Sequence, residues 1–278
     1  MSTRQLRAKS VLPGFGLSLG FTVFYLSLIV LVPLAALVFR SSELGIAGFL
    51  ETIRHPRVLA SFKVTFLSAF IAALANVMFG VTVAWFLVRG RFPLKRAVDA
   101  LVDLPFALPT AVSGIALTTL FAPNSTLGLA LAKVGIKVAF TSAGITVAMI
   151  FIGLPFVIRS VQPALADLSK ELEEGALSLG ASKFQTLWRV VLPLLTPSIL
   201  SGFTLAFSRA LGEYGSVVFI AGNMPMKTEI ASLLIVTKLE QFDYAGATAI
   251  AVALLLLSLL SIWTVNLLQA RATRYLGN

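Results

Sequence analysis

Two opposite charges stand four residues apart inside an apolar stretch: Arg209 and Glu213, in the segment S-R-A-L-G-E-Y-G at residues 208–215. On a helix this spacing places both side chains on one face, where they can form an ion pair. Because a charge at the centre of a membrane span costs roughly 2.5–3.5 kcal/mol, we expect both to face a protein interior or a watery cavity. The pair either locks helix packing or lines a path in which Arg209 attracts an anion while Glu213 holds its guanidinium. The sequence leaves both interpretations open.

The other reactive residue types argue against catalysis by this chain. It contains no cysteine, and its only histidine, His55, precedes Pro56 in a loop. The sequence also lacks the H-E-x2-H motif of zinc peptidases and the G-x4-G-K-[ST] loop that cradles nucleotide phosphates. We therefore predict a non-catalytic protein with no metal or cofactor of its own, in which any ATP is handled by another subunit.

Composition indicates which elements position these charges. Of the 278 residues, 58% are hydrophobic and 12% charged, and the mean hydropathy of +0.94 is too high for a water-soluble domain. Apolar runs of about 20 residues, at about 1.5 Å per helical residue, cross a hydrocarbon core roughly 30 Å thick. We predict an all-α membrane protein with six transmembrane helices. The predicted spans are Leu17–Phe39, Lys63–Val88, Ala100–Phe121, Phe140–Ile158, Pro197–Ile220 and Ala245–Gln269.

The net charge of +10 indicates membrane topology rather than nucleic-acid binding, since most Lys and Arg residues lie in short loops beside predicted spans. More of them fall inside the cell when the N-terminus is placed there, so we predict that both termini are cytoplasmic. The first apolar run is longer than the core of a signal peptide, which predicts an uncleaved span. The loop between spans four and five is then the longest cytoplasmic loop.

Proline interrupts the third predicted span, where Leu104-Pro105 and Leu108-Pro109 follow each other closely. Proline removes a backbone donor and disfavours helical backbone in the residue before it. Within a membrane such a break is tolerated where it is buried in protein or lines a cavity. We predict a broken, cavity-lining helix.

The loop between spans four and five carries a charged, helical segment. From Ala164 to Leu179, apolar residues recur at spacings of three and four, which predicts an amphipathic helix. Gly180 ends this helix in a backbone conformation of positive φ. A second short amphipathic helix follows, with Trp188 on its apolar face. Pro193 and Pro197 then close the segment and begin span five.

This segment is suited to binding lipid or protein. An amphipathic hairpin can lie on a membrane surface, and Trp188 with Lys183 and Arg189 would favour that. The first helix is acidic, however, and would face an anionic leaflet, so a protein partner is the better explanation. Its acidic residues are Asp167, Glu171, Glu173 and Glu174.

The pattern E-G-A-x3-G-x9-V-x-L-P, from Glu174 to Pro193, resembles the E-A-A-x3-G-x9-I-x-L-P loop of the permease subunits of ABC importers. Gly175 replaces the first alanine, at a cost of about 1 kcal/mol of helix propensity, and Val190 replaces isoleucine. The resemblance implies the ABC importer type I permease (MetI-like) fold. It also implies coupling helices near residues 164–192 that sit in a groove of an ATP-binding subunit. The residues implied to make or shape that contact are Glu174, Gly175, Ala176, Gly180, Leu192 and Pro193.

The sequence around and after the charge pair resembles a narrower group. The segment A-L-G-E-Y-G-S-V-V-F-I-A-G-N at residues 210–223 is similar to permeases for tetrahedral oxyanions, and residues 224–249 look most like the T-type sulfate/thiosulfate permeases. This resemblance implies import of sulfate or thiosulfate across a bacterial inner membrane. It also implies a second, related permease subunit, two ATP-binding subunits that hold ATP and Mg²⁺, and an external sulfate/thiosulfate-binding protein.

By the same resemblance the chain divides into an N-terminal part with the first span (residues 1–58), a permease core (59–266) and a cytoplasmic tail (267–278). Molybdate or tungstate is the alternative substrate. A secondary transporter that couples Arg209 and Glu213 to ions is a remote alternative. It would need no acidic docking loop, and such proteins typically show an inverted repeat, which this sequence does not display.

Overall fold

The computed structural model describes the backbone of residues 14–276. It describes their side chains too, except those of residues 268 and 271–276. The outermost residues of the two predicted cytoplasmic termini lie outside this range. Within it the chain is helical, without β-strands, as predicted. The elements are α1 (Phe15–Ser42), α2 (Gly45–Arg54), α3 (Pro56–Arg89), α4 (Lys95–Val102), α5 (Leu104–Ala107), α6 (Thr110–Phe121), α7 (Thr126–Lys133), α8 (Ser142–Asp167), α9 (Lys170–Ser178), α10 (Lys183–Thr186), a π-helical turn (Leu187–Val191), α11 (Leu192–Leu211), α12 (Val217–Ile220), α13 (Ala231–Glu240) and α14 (Tyr244–Leu276).

In the described part of the chain, five helical segments are long and apolar enough to cross a membrane. They are α1, α3, α8, the continuous helix Lys183–Leu211, and α14 as far as Leu267. A sixth crossing is formed if α6 and α7, which meet at an angle of 54°, count as one broken span. The prediction of six spans therefore holds, with one of the six bent.

The third span differs most from its prediction. A single helix over Ala100–Phe121 is wrong, because the helix is interrupted at Asp103 and again at Leu108, where the backbone turns to ψ 135. Pro109 explains the second interruption, since its ring disfavours helical backbone at the preceding residue. Pro105 lies in the first turn of α5, where its missing N–H has no helical partner to lose. The predicted break is thus confirmed.

α3 and α8 extend beyond the predicted second and fourth spans, because residues of mixed polarity continue each helix past its apolar run. α3 begins at Pro56, again in a first helical turn, rather than at Lys63. α8 continues past Pro155 and Pro163 to Asp167.

α3, α8 and α11 pack against one another, and we call them the three-helix core. Small residues at their contacts allow close backbone approach. A Cβ added to Gly80 of α3 would lie 2.8 Å from a side-chain atom of Val157 in α8, and one added to Gly202 of α11 would lie 2.8 Å from the Val157 backbone. Val157 is fully buried between these two glycines. α1, by contrast, packs against α14 and α2, and none of its most apolar stretch is buried.

An ionic cluster joins α4 and Asp103, the residue between α4 and α5, to α8. Arg159 donates from Nη1 to Asp99 Oδ1 (2.7 Å), and from Nε and Nη2 to the two oxygens of Asp103 (2.9 and 2.6 Å). Hydrogen bonds from Arg159 and then Gln162 hold the pKa of Asp99 in α4 below its usual value. The stabilisation that Asp99 contributes is therefore present above the ordinary pKa of a carboxyl group, and is lost only as the pH falls through the lowered pKa.

Replacing Gly202 by alanine should destabilise the protein, because the new Cβ would meet the backbone of Val157 and force α8 and α11 apart. Overpacking of this kind costs about 1–3 kcal/mol. Thermal unfolding in detergent measures the change. Gly20→Ala in α1 is the matched control, since nothing lies within 4 Å of its Cβ position, and it should leave Tm unchanged or raise it. Equal Tm values for the two variants would contradict the close packing described here.

Candidate coupling hairpin and intramembrane charge pair

The predicted coupling segment folds as a hairpin of short helices between α8 and α11. We call residues 169–191 the coupling hairpin. Ser169 caps the start of α9, its Oγ accepting a hydrogen bond from the Glu171 N–H at 3.2 Å. Ser182 and Gln185 cap α10 reciprocally: the Gln185 N–H bonds to Ser182 Oγ (3.2 Å) and the Ser182 N–H to Gln185 Oε1 (2.8 Å). Local sequence therefore fixes both helix starts.

Gly180 turns the chain between the two helices, as predicted. Its φ is +89, a left-handed conformation that side chains with a Cβ resist. The Gly180 N–H bonds to the Leu177 carbonyl and the Ala181 N–H to the Ala176 carbonyl, both at 3.0 Å. These two bonds are those of a Schellman motif, which satisfies the last carbonyls of a helix. Gly180 thus has a confirmed structural role in the hairpin.

The predicted continuous helix over Ala164–Leu179 is wrong. The chain leaves the helical conformation at Leu168 and Ser169, with ψ values of 117 and 130, and α9 starts anew. Leu165 consequently belongs to α8 and is fully buried, whereas no residue of α9 is buried. Ser169, a preferred N-cap residue followed by Glu171 and Glu173, was the signal for this second start.

The prediction that Pro193 and Pro197 close the hairpin and begin the fifth span is also wrong. The helix runs without a gap from Lys183 through the π-helical turn into α11. In that turn the Leu192 N–H bonds back to the Leu187 carbonyl. The wider turn lies where the ring of Pro193 would otherwise meet the preceding helical turn. The coupling hairpin is therefore continuous with a spanning helix.

Several apolar side chains of the coupling hairpin are exposed, although Val191 at its end is fully buried. Those of α9 are half exposed, and Leu179 at the tip is 91% exposed. The rings of Phe184 and Trp188 are mostly exposed and lie 5.9 Å apart. An exposed apolar patch of this kind is typical of an interaction surface. We call Leu172, Leu177, Leu179, Phe184 and Trp188 the docking face.

The residues implied by the family motif divide into two groups. Glu174, Gly175 and Gly180 are exposed on the hairpin beside the docking face, and Ala176 is half-buried. Leu192 and Pro193 lie in the first turn of α11, half-buried where the hairpin joins that helix. The first group can therefore touch a partner directly, while the second shapes the connection to the spans.

One residue that sequence reasoning missed lies beside the hairpin. Arg89, the last residue of α3, donates from Nη2 to Glu173 Oε1 at 2.6 Å and to the Leu168 carbonyl at 3.0 Å. These partners lie on the two sides of the break between α8 and α9. They are 84 and 79 residues away in sequence, so no local pattern could have paired them.

Arg209 and Glu213 form the predicted ion pair, with Nη1 and Oε2 2.9 Å apart. The predicted span Pro197–Ile220 is wrong as a single helix carrying both charges, because the helix ends before Glu213. α11 ends at Leu211, and Glu213 lies in the following loop because Gly212 and Gly215 favour an end to the helix. The Glu213 side chain is 1% exposed, while that of Arg209 is 36% exposed.

Glu213 also anchors the elements that follow it. Its Oε1 accepts hydrogen bonds from the Ser216 N–H (2.9 Å) and Ser216 Oγ (3.0 Å), and its backbone carbonyl accepts one from Ser232 Oγ (2.9 Å). The carboxylate therefore fixes the turn into α12, and the backbone carbonyl fixes the start of α13. This arrangement gives Glu213 a structural role and leaves Arg209 as the more accessible charge.

The loop that carries Glu213 packs tightly on the broken third span. A Cβ on Gly215 would collide with the Thr110 side chain at the start of α6, and one on Gly114 would collide with the Ser216 carbonyl. Both glycines are required by this close approach. The charge pair and the break in span three therefore lie next to each other.

Sequence matches to known proteins cover most of the chain. Residues 76–274 match the family described as the inner membrane component of binding-protein-dependent transport systems. The chain is 50% identical over 267 residues to the sulfate transport system permease protein CysT of Escherichia coli, covering 96% of each chain. It is 49% identical over 254 residues to the protein of the same name from Synechocystis sp., covering 91% of this chain and 89% of that one.

Solved structures share the fold at lower identity. A bacterial alginate ABC transporter, in complex with an alginate pentasaccharide-bound periplasmic protein, has a chain that superposes with a TM-score of 0.76 at 18% identity. The match covers 92% of this chain and 93% of that one. A chain of the MetNI methionine ABC transporter superposes with a TM-score of 0.52 at 20% identity, covering 78% and 93%. The family match and the half-identical relatives show that this chain belongs to the inner membrane components of binding-protein-dependent transport systems.

Proposed function

We propose that this chain is the membrane-spanning permease subunit of an ATP-driven ABC importer that carries sulfate into the cytoplasm. The observation that carries the proposal is the 50% identity, over 96% of both chains, to a sulfate transport system permease protein. The resemblance of residues 210–249 to sulfate/thiosulfate permeases supports the same substrate. Thiosulfate is a further substrate of the same shape and charge, and molybdate or tungstate is less favoured.

We further propose that the docking face binds an ATP-binding subunit. The sequence has no phosphate-binding loop of its own, so ATP and Mg²⁺ would be held by two such partner subunits, and this chain would be non-catalytic. A second, related permease subunit would complete the pore. The family's dependence on a binding protein supports an external sulfate-binding partner. In this arrangement the coupling hairpin and both termini lie on the cytoplasmic side of a bacterial inner membrane.

The charge pair is suited to a weak anion site in the translocation path. Glu213 is buried and shared among Ser216 and Arg209, so it partly neutralises the guanidinium without covering it. A half-neutralised cation attracts a dianion but does not hold it tightly, which conduction requires. Arg209 would thus supply local positive potential, while selectivity rests largely with the external binding protein.

Uptake of radiolabelled sulfate tests the proposed substrate. The chain, expressed with its partner subunits in a strain that lacks sulfate import, should restore sulfate uptake that depends on ATP. Excess unlabelled thiosulfate should compete, whereas molybdate should compete poorly. Uptake of molybdate without uptake of sulfate would overturn the substrate assignment.

A paired neutral substitution separates the two roles of the charge pair. Removing Arg209 alone would leave the buried Glu213 carboxylate uncompensated, at about 3–5 kcal/mol, and would confuse transport with folding. The double variant Arg209→Gln/Glu213→Gln removes both charges and keeps the acceptor for Ser216. We expect it to assemble with its partners but to lose most sulfate uptake. The single variant Glu213→Gln, which keeps the cation, is the control. Normal uptake by the assembled double variant would show that the pair serves packing alone.

A further inference from the structure

Arg89 holds together the two sides of the break between α8 and α9. Its Nη2 reaches Glu173 in α9 at 2.6 Å and the backbone carbonyl of Leu168 at 3.0 Å. The Arg89 side chain is 15% exposed and that of Glu173 is 22% exposed, so this ion pair is shielded more than a typical surface pair. We call this set of contacts the Arg89 clamp.

The Arg89 clamp supplies a hydrogen-bond donor that the break between α8 and α9 removes. Because the helix ends at Asp167, the Leu168 carbonyl has no helical N–H partner, and Arg89 donates to it instead. Glu173 lies in the first turn of α9, where the helix dipole stabilises a carboxylate. Each partner of Arg89 is thus suited to a cation for a local reason, and the guanidinium satisfies both.

α9 has little else to fix it to the spans. None of its residues is buried, and its main packing partners are α10 and the π-helical turn, the first part of the continuous helix Lys183–Leu211. Its position relative to the bundle therefore depends on this limited packing, on its chain connections and on the Arg89 clamp, which is its contact with α3. Since Arg89 is the last residue of α3, the clamp connects the coupling hairpin to a helix that is remote from it in sequence.

One donor of the Arg89 clamp is left unsatisfied in this conformation. Within the described structure, Nε of Arg89 is buried and has no hydrogen-bond partner. A buried donor without a partner is unfavourable, because it has lost its hydrogen bonds to water. A small rotation of α9 that brought the second Glu173 oxygen onto Nε would form a two-bond arginine–carboxylate pair. The contact can thus persist while α9 moves.

We propose that Arg89 is a positioning residue that transmits movement of the coupling hairpin to α3. The inference rests on the proposed function, in which an ATP-binding subunit displaces the docking face. Movement would then reach all three helices of the core: α8 and α11 through the chain, and α3 through the clamp. Without the clamp, hydrolysis of ATP would continue but would drive transport less efficiently.

The transport test compares four variants in the assembled complex. Arg89→Gln should keep the ATP-binding subunits bound and keep basal ATP hydrolysis, and Glu173→Gln removes the same ion pair from the side of α9. They should lower sulfate uptake per ATP hydrolysed by about fivefold or more, the lower end of measured couplings between sites. Arg89→Lys, which can still donate to both partners, should retain most coupling. Arg91→Gln, an exposed arginine two residues later, is the matched control and should be unaffected.

The outcomes are separable. A wild-type ratio of uptake to hydrolysis in Arg89→Gln overturns the clamp, and so does loss of the bound ATP-binding subunits in that variant, because the role would then be structural. Failure of the wild-type complex to transport sulfate overturns the proposed function instead.

A distance measurement tests the Arg89 clamp even if the wild-type complex does not transport sulfate. The chain has no cysteine, so spin labels can be placed at Phe92→Cys and Ser178→Cys in otherwise unmodified protein in lipid. The clamp predicts a narrow distance distribution that Arg89→Gln broadens. An unchanged distribution would overturn the proposal independently of transport.

Discussion

The close contact of three helices at Val157 is the constraint on which the rest of the structure depends. Gly80 and Gly202 have no side chains, and only for that reason can α3 and α11 both approach α8 at this point. Packed helices of this kind are not continuously deformable, so a tilt of one must be taken up by the others. The three helices of the core therefore move together, and the coupling hairpin and the charge pair are both attached to them.

Both candidate sites are attached to this core at its ends. The coupling hairpin leaves α8, returns through the π-helical turn into α11, and is clamped to the end of α3 by Arg89. The charge pair lies at the opposite end of α11, where Glu213 fixes the turn into α12 and the neighbouring residues Gly215 and Ser216 pack closely on α6. One helix, α11, thus connects the proposed docking face to the proposed anion path. A displacement at one end has a direct route to the other.

The division of roles within the charge pair follows from burial. A fully buried carboxylate is tolerated only when its oxygens are satisfied; Glu213 forms an ion pair with Arg209 and accepts two hydrogen bonds from Ser216. Arg209 is the partner that reaches open space. The two interpretations that the sequence left open therefore apply to different residues of the pair: packing to Glu213 and, by our proposal, transport to Arg209.

The sequence was sufficient where local physics decides the outcome. Hydropathy gave the spans, the proline pairs gave the break in span three, and Gly180 gave the left-handed turn of the hairpin. The sequence was insufficient where a contact joins residues that are far apart along the chain. Arg89 pairs with Glu173 and with the Leu168 carbonyl, which lie 84 and 79 residues further along the chain, and no local pattern indicates either contact.

Site-specific cross-linking at the tip of the coupling hairpin tests the central claim most directly. Because the chain lacks cysteine, Leu179→Cys introduces a single attachment point for a photoreactive group at a side chain that is 91% exposed. In the assembled complex it should cross-link to the ATP-binding subunit, with a yield that changes when nucleotide is added. Phe242→Cys, at the exposed connection between α13 and α14, should not. Cross-links to that subunit from position 242 and none from position 179 would contradict the account.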